Sequence, residues 1–262
     1  MRIATWNINS VRLRIHHVLR FIKEQNIDVM CLQETKTEDQ FFPKAELENI
    51  GMSYCSFRGE KSYNGVAILS KIPIKCHSYE IWCGLTDTRH ISITLENNVK
   101  IHNFYVPAGG DIPDISLNEK FNHKIKFVKE MISYFKSEKN KSKSVLVGDL
   151  NIAPYENDVW SHKQLLNVVS HTPIETELLI KLMNDSNWID VARKFFPKDE
   201  KLYSWWSYRN KDWKKSNRGR RLDHIWVSQD LDSIVKAFSS CKEIRDWEKP
   251  SDHVPLILEL SI

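Results

Sequence analysis

The chain has 262 residues, 41% hydrophobic and 27% charged, with nine tryptophans and a formal net charge of +4. That composition supplies a sizeable core and excludes a disordered or low-complexity chain, and no stretch nears the roughly 18 apolar residues of a membrane span. The five cysteines, Cys31, Cys55, Cys76, Cys83 and Cys241, are odd in number and form no CxxC pair, which argues against a disulfide framework and a zinc site.

The N-terminus, "MRIATWNINS", enters a strand-like pattern at once and lacks the apolar centre of a signal peptide, so a reducing, cytoplasmic setting is expected. "RIATWN" reads as a strand, "VRLRIHHVLRFIKEQN" as a helix with Val11, Ile15, Val18, Leu19 and Ile22 at helical spacing, and "DVMCLQET" as a second strand. "YCSFRG" and "GVAILSK" flank an expected turn around Ser62 to Gly65, and "KCHSYEIW", "RHISITLE" and "VKIHNFYV" continue the β-rich centre, with a hairpin turn at Asn97-Asn98. "LNEKFNHKIKFVKEMISYFKSEK" is helical, with Phe121, Ile125, Val128, Ile132 and Phe135 on one face. "KSVLVGDL" is a strand, "ETELLIKLMNDSN" a helix, and "RRLDHIWVS" and "HVPLILELSI" strands, whereas "DSIVKAFSSCKEI" fits helix and strand equally. No linker or repeat divides the chain, and one α/β domain over residues 1–262 is expected. The β-rich centre argues against a simple doubly wound parallel sheet and for packed mixed sheets with helices outside.

Several strands carry polar residues at their ends: Asn7, Glu34, Tyr105, Asp149 with Asn151, Asp223, and Asp252-His253. Each has an ordinary reading. Asn7 suits a helix cap, Glu34 a solvated strand end, Asp149 a turn, Asp223 a partner for Arg220 or Arg221, and Asp252-His253 a loop. Together they are what a hydrolytic site on an α/β scaffold needs. Glu34, Asp149 and Asp252 offer hard oxygen ligands for Mg²⁺, His253 beside a carboxylate such as Asp223 is an oriented imidazole, and Asn7, Asn151 and Tyr105 supply neutral hydrogen bonds to phosphate oxygens. The absence of GxxxxGK[ST] excludes a P-loop NTPase, and the absence of GxSxG argues against a serine hydrolase.

The motifs "ATWNINSVR", "DVMCLQETK", "NGVAILSK", "NFYVPAGG", "VGDLNIAP", "RGRRLDHIWVS" and "SDHVPL" occur in this order along almost the whole chain. In this the sequence resembles the exonuclease III family of apurinic/apyrimidinic (AP) endonucleases. The resemblance implies a four-layered α/β sandwich of the DNase I-like kind, two packed mixed β-sheets flanked by helices. It implies Mg²⁺- or Mn²⁺-dependent cleavage of duplex DNA 5′ to abasic sites, leaving a 3′-hydroxyl, with removal of nucleotides or blocking groups from 3′ ends. It further implies a monomer without membrane association. By the same resemblance Glu34 is the main metal ligand with Asn7 and Asp252 near it, and Asp149 activates or positions the attacking water with Asn151 as its partner. Asn151 and His253 are included in the metal site, Tyr105 contacts phosphate, and Asp223 and His253 form a hydrogen-bonded pair at the scissile phosphate. Three positions depart from relatives in the family: Asn9 stands where some have a metal-site aspartate, Ala108 where many have an amide, and Arg220 where an apolar or aromatic residue lies beside the sugar pocket.

From Lys201 to Arg221 there are eight basic residues and one acid, interleaved with Tyr203, Trp205, Trp206, Tyr208 and Trp213. Such charge density suits a polyanion. The resemblance makes Trp205 and Leu222 walls of the pocket that accepts an abasic sugar, and the charge density assigns Arg218 and Arg221 to DNA binding. Inositol-polyphosphate phosphatases, sphingomyelinases and DNase I-like nucleases share the GDxN and SDH motifs, so another metal-dependent phosphodiesterase or phosphatase is the alternative reading. The LQETK motif together with the basic, tryptophan-rich stretch favours the DNA enzyme.

Overall fold

The computed structural model describes residues 1–137, 142–210 and 212–262. The tail of the expected helix beyond Ser137, and Lys211 of the basic stretch, lie outside the described residues.

Among the described residues, fourteen strands and seven helices follow in chain order: β1 (Arg2–Asn7), α1 (Val11–Glu24), β2 (Val29–Gln33), α2 (Lys44–Glu48), β3 (Tyr54–Glu60), β4 (Tyr63–Ser70), β5 (Ile74–Ser78), β6 (His90–Leu95), β7 (Lys100–Tyr105), α3 (Glu119–Ser137), β8 (Ser144–Asp149), α4 (His162–Leu165), α5 (Pro173–Asp185), β9 (Trp188–Asp190), α6 (Val191–Phe195), β10 (Trp205–Trp206), α7 (Trp213–Ser216), β11 (Gly219–Arg220), β12 (Asp223–Ser228), β13 (Val235–Ser240) and β14 (Leu256–Leu260). Two six-stranded sheets have the orders β13-β14-β1-β2-β4-β3 and β5-β6-β7-β8-β12-β9, and β10-β11 forms a small ribbon. Both large sheets are mixed: β1 and β2 pair in parallel across α1, β7 and β8 pair in parallel across α3, and their other neighbours are antiparallel.

Strand alternation explains the layering. Ile3, Val29, Cys31, Val66 and Ile68 of the first sheet meet Ile101, Val145, Val147, Ile225 and Val227 of the second in one shared core. The alternate residues face outward: Ala4, Trp6, Met30 and Leu32 pack on α1 through Val18, Phe21 and Ile22. Phe104, Leu146 and Trp226 pack on α3 and α5 through Phe127, Val128, Met131, Leu179 and Leu182. The result is the four-layered α/β sandwich, two packed mixed sheets flanked by helices.

Two local expectations are corrected. The β3–β4 turn falls at Lys61-Ser62, so Gly65 lies inside β4. Its glycine answers a close approach, because a Cβ there would sit 2.0 Å from Thr35 Oγ1. The ambiguous "DSIVKAFSSCKEI" becomes mainly the edge strand β13, fixed by antiparallel pairing with β14 and by nothing local. Among the described residues no helix is long and apolar enough to cross a membrane, and all five cysteines are unpaired.

Candidate active site

The inward-facing stripe of each central strand turns polar at one end. In β1 it runs Ile3, Thr5, Asn7; in β2 Val29, Cys31, Gln33; in β7 Ile101, Asn103, Tyr105; in β8 Val145, Val147, Asp149; and β12 starts at Asp223 before Ile225 and Val227. Register aligns these ends: Asn7 pairs with Gln33, Tyr105 with Asp149, and Asp149 with Asp223. Gln33 and Asn103 form a bridging layer beneath the site. Gln33 donates to Thr5 Oγ1 at 2.9 Å and Asn103 Oδ1 at 2.7 Å, and Asn103 donates to the Leu32 and Ala67 carbonyls, both at 2.9 Å. These four donations tie the two sheets together, while Gln33 Oε1 is buried without a partner. Gly148 lets β8 lie tight on β7: its φ is +138° and a Cβ would meet the Phe104 carbonyl oxygen at 1.9 Å.

Asp149 is the hub. Its Oδ2 accepts from Asn7 Nδ2 at 2.9 Å and Asn151 Nδ2 at 3.2 Å, and its Oδ1 accepts from the Asn151 backbone N–H at 2.9 Å. Asn151 reaches it through a turn, not through strand alternation: β8 ends at Asp149, and Asn151 holds a left-handed φ of +53°. Glu34 does the same on the other sheet. At φ +50° it leaves β2 and turns back, so that Oε1 accepts from Asn7 Nδ2 at 2.8 Å and Tyr105 OH at 2.9 Å. Asn7 therefore caps no helix; one amide nitrogen draws Glu34 and Asp149 together. His253 Nδ1 lies 2.8 Å from Asp223 Oδ2, and its Nε2 lies 3.7 Å from Asp149 Oδ2. Ser204 orients Asp223, donating to Oδ2 at 2.6 Å. Asp252 flanks the cluster, accepting from Asn9 Nδ2 at 3.1 Å and from Trp205 Nε1 at 2.9 Å.

The electrostatics follow from burial and crowding. Burial, with Asp223 and Glu34 nearby, raises the Asp149 carboxyl to about 7, although His253 and Asn7 pull the other way. Burial alone would lower His253, but Asp223 and Asp149 raise it to about 10, so it is an imidazolium at neutral pH. Burial would raise Glu34, yet Lys36, at 2.6 Å, and Asn7 bring it below the usual carboxylate value. Burial and the two neighbouring carboxylates push the Tyr105 hydroxyl well up, which keeps it a donor. Asp149, Asp223 and His253 form a buried group whose ligand atoms lie within 4.8 Å of one another and could hold a metal ion. Three carboxylates gathered around one imidazolium, one of them with its pKa raised to about 7, leave room for a divalent cation.

Sequence reasoning missed three supporting residues. Lys36 bridges Glu34 and Asn9 Oδ1, the latter at 2.6 Å. Ser204 holds Asp223. Lys124, fully buried, pairs with Glu175 at 2.5 Å and donates to the carbonyls of Asn151 at 2.7 Å and Ala108 at 3.2 Å. Its signal was present, since Lys124 lies on the same helical stripe as Phe121 and Val128.

One assignment is corrected. Arg221 is buried and bound to Asp158 at 2.7 and 2.9 Å and to Asp190 at 2.8 and 3.1 Å. Those carboxylates push its pKa up despite burial, so Arg221 is an internal brace and has no surface to offer DNA. Asp223 accordingly pairs with His253, not with an arginine. Arg218 does reach the surface, with its guanidinium 4.7 Å from the Trp160 ring. Arg218, Trp160 and Trp205 line a cleft of about 820 Å³ beside the cluster. Leu222 is buried behind Trp205, with Val159 and Leu165.

Two mixed sheets with a carboxylate–amide–imidazole cluster at their shared polar end define a phosphoester hydrolase of DNase I-like architecture. Residues 4–253 match the endonuclease/exonuclease/phosphatase family, and the chain belongs to it. It is 33% identical to exodeoxyribonuclease III of Haemophilus influenzae over 99% of each chain. Its structure is similar to that of an AP endonuclease from Archaeoglobus fulgidus, with a TM-score of 0.93, 31% identity and 100% coverage of both chains. It is also similar to a 3′ phosphatase from Neisseria bound to product DNA hairpin, with a TM-score of 0.91, 28% identity and 100% coverage of both chains.

Proposed function

We propose that the chain is a cytoplasmic, monomeric DNA repair nuclease that hydrolyses the phosphodiester 5′ to abasic sites in duplex DNA and clears nucleotides and blocking groups from 3′ ends. The observation that carries this reading is the Asp149 hub, held between Asn7, Asn151 and His253 and opening beside the Trp205 cleft. The relatives named exodeoxyribonuclease III, AP endonuclease and 3′ phosphatase support DNA as substrate.

Glu34 and Asp149, brought together on the Asn7 amide, would hold Mg²⁺, or Mn²⁺, through hard oxygens. Bound there, the ion supplies Lewis-acid polarisation of the phosphate and charge stabilisation of the leaving 3′-oxygen. Asp149 positions the attacking water and takes its proton. His253 has Nδ1 committed to Asp223 and is protonated in the metal-free protein, so it donates from Nε2 to a phosphate oxygen. Asn151 and Asn7 fix the Asp149 carboxylate, and Tyr105 fixes Glu34. Trp205 walls the space for the baseless sugar with Leu222 behind it, and Arg218 meets the phosphate backbone.

The test is a duplex carrying one abasic-site analogue, incubated with Mg²⁺ and with EDTA. Incision 5′ to the analogue only with the metal supports the proposal. An intact duplex alongside hydrolysis of a soluble inositol phosphate would sink it.

A further inference from the structure

Arg220 stands in the cleft without a direct ion pair among the described residues; the carboxylate whose charge it feels is the buried Glu175 behind Ser170. It begins the short approach to Asp223, and its strand partner is Trp205, whose indole N–H binds Asp252 next to His253. One nitrogen of its guanidinium is anchored: Nη1 donates to the Val169 carbonyl at 2.9 Å and to Ser170 Oγ at 2.7 Å. Ser170 is itself held, its backbone N–H donating to both Glu175 oxygens at 2.9 Å. The guanidinium is thus set in place, 5.4 Å from the Trp205 ring, while Nε and Nη2 make no hydrogen bond within the described residues. Among the described residues Asp111 is the carboxylate on the cleft lining, and no ion pair joins it to Arg220. Leu165, Val168 and Trp160 line the same space.

We propose that Arg220 determines specificity in this cleft and selects 3′-blocking groups that end in a carboxylate, the glycolate ester of a 3′-phosphate being the simplest. This rests on the nuclease reading above. A group attached to the scissile phosphate on the side away from the 3′-oxygen enters the cleft. A neutral baseless sugar gains nothing from the two free N–H groups there, whereas a carboxylate accepts both in the planar fork that guanidinium favours. The chemistry is unchanged: water adds to phosphorus, the P–O3′ bond breaks, one proton goes to Asp149 and one to O3′. The products are a 3′-hydroxyl end and free phosphoglycolate.

Three duplexes test it: one with a 3′-phosphoglycolate end, one with a 3′-phosphate hydroxyethyl ester of the same length but no carboxylate, and one with an internal tetrahydrofuran abasic analogue. Arg220→Gln should lower kcat/KM on the phosphoglycolate end by about tenfold or more and change the other two less than about threefold. Arg220→Lys, which keeps the charge and loses the fork, should fall between on the first substrate only. An equal loss on all three would make Arg220 a structural residue or a general phosphate contact, and no loss on any would also overturn the proposal. Unchanged melting temperatures of both variants separate specificity from folding. If the wild-type protein cut none of the three with Mg²⁺, the nuclease reading itself would fail.

Discussion

Lys124→Met isolates the brace behind the turn that carries Asn151. In the native protein the ammonium has three contacts, to Glu175, Asn151 O and Ala108 O. Removing it leaves a fully buried Glu175 carboxylate without its direct ion-pair partner, and breaking one side of such a pair costs about 3–5 kcal/mol. Glu175 keeps its donors, the Ser170 and Thr172 N–H groups and the Thr172 hydroxyl at 2.7 Å, which places the expected loss at the lower end. About 3 kcal/mol should lower the urea midpoint by roughly 1 M or more. Adding Glu175→Gln removes the stranded charge but keeps an acceptor for those donors, so the double variant should recover at least half of the lost stability. Activity should not follow, because the Asn151 carbonyl still lacks its donor and the turn that aims Asn151 at Asp149 stays loose; kcat should remain about tenfold down or more. Recovery of stability and kcat together would reduce Lys124 to a counter-ion. A single-variant loss below about 1 kcal/mol would refute the buried pair itself.

Arg221→Met should destabilise the fold by about 3 kcal/mol, because Asp190 loses its cation while Asp158 keeps Arg193, with no change in the salt dependence of DNA affinity once folded. Arg218→Ala should do the reverse, leaving the urea midpoint alone and lowering the slope of log affinity against log salt by about 1. Asp149 and His253 both hold protons more tightly folded than unfolded. Metal-free stability should therefore fall as pH rises from 3.8 through about 7 for Asp149 and from 6.5 through about 10 for His253. Asp149→Asn should erase the first of these slopes in urea titrations at stepped pH, and a slope that survives would contradict the assignment. Mg²⁺ must displace the Asp149 proton, so calorimetry should show affinity rising between pH 6 and 8 with proton release, not a flat profile.

Much of the site was legible because polar residues interrupted apolar stripes at strand ends, and alternation tells which face they take. Asp149 and Asp223 follow directly from that logic. Glu34 and Asn151 do not: each leaves its strand through a left-handed residue, and no periodicity encodes that turn. Charge density misled at Arg221, because a run of basic residues looks uniform until partners far along the chain, Asp158 and Asp190, take one of them inside. The strand β13 was undecidable locally for a similar reason, since its pairing with β14 supplies what its own sequence lacks.

The central claim is that Asp149 drives phosphodiester hydrolysis. Single-turnover incision of an abasic duplex by wild type and Asp149→Asn, at saturating Mg²⁺ with affinity measured in the same samples, tests it most directly. The account predicts a rate at least about a hundredfold lower for the variant with DNA affinity within about threefold of wild type. Incision at a comparable rate, or a loss explained wholly by weaker binding, would contradict it.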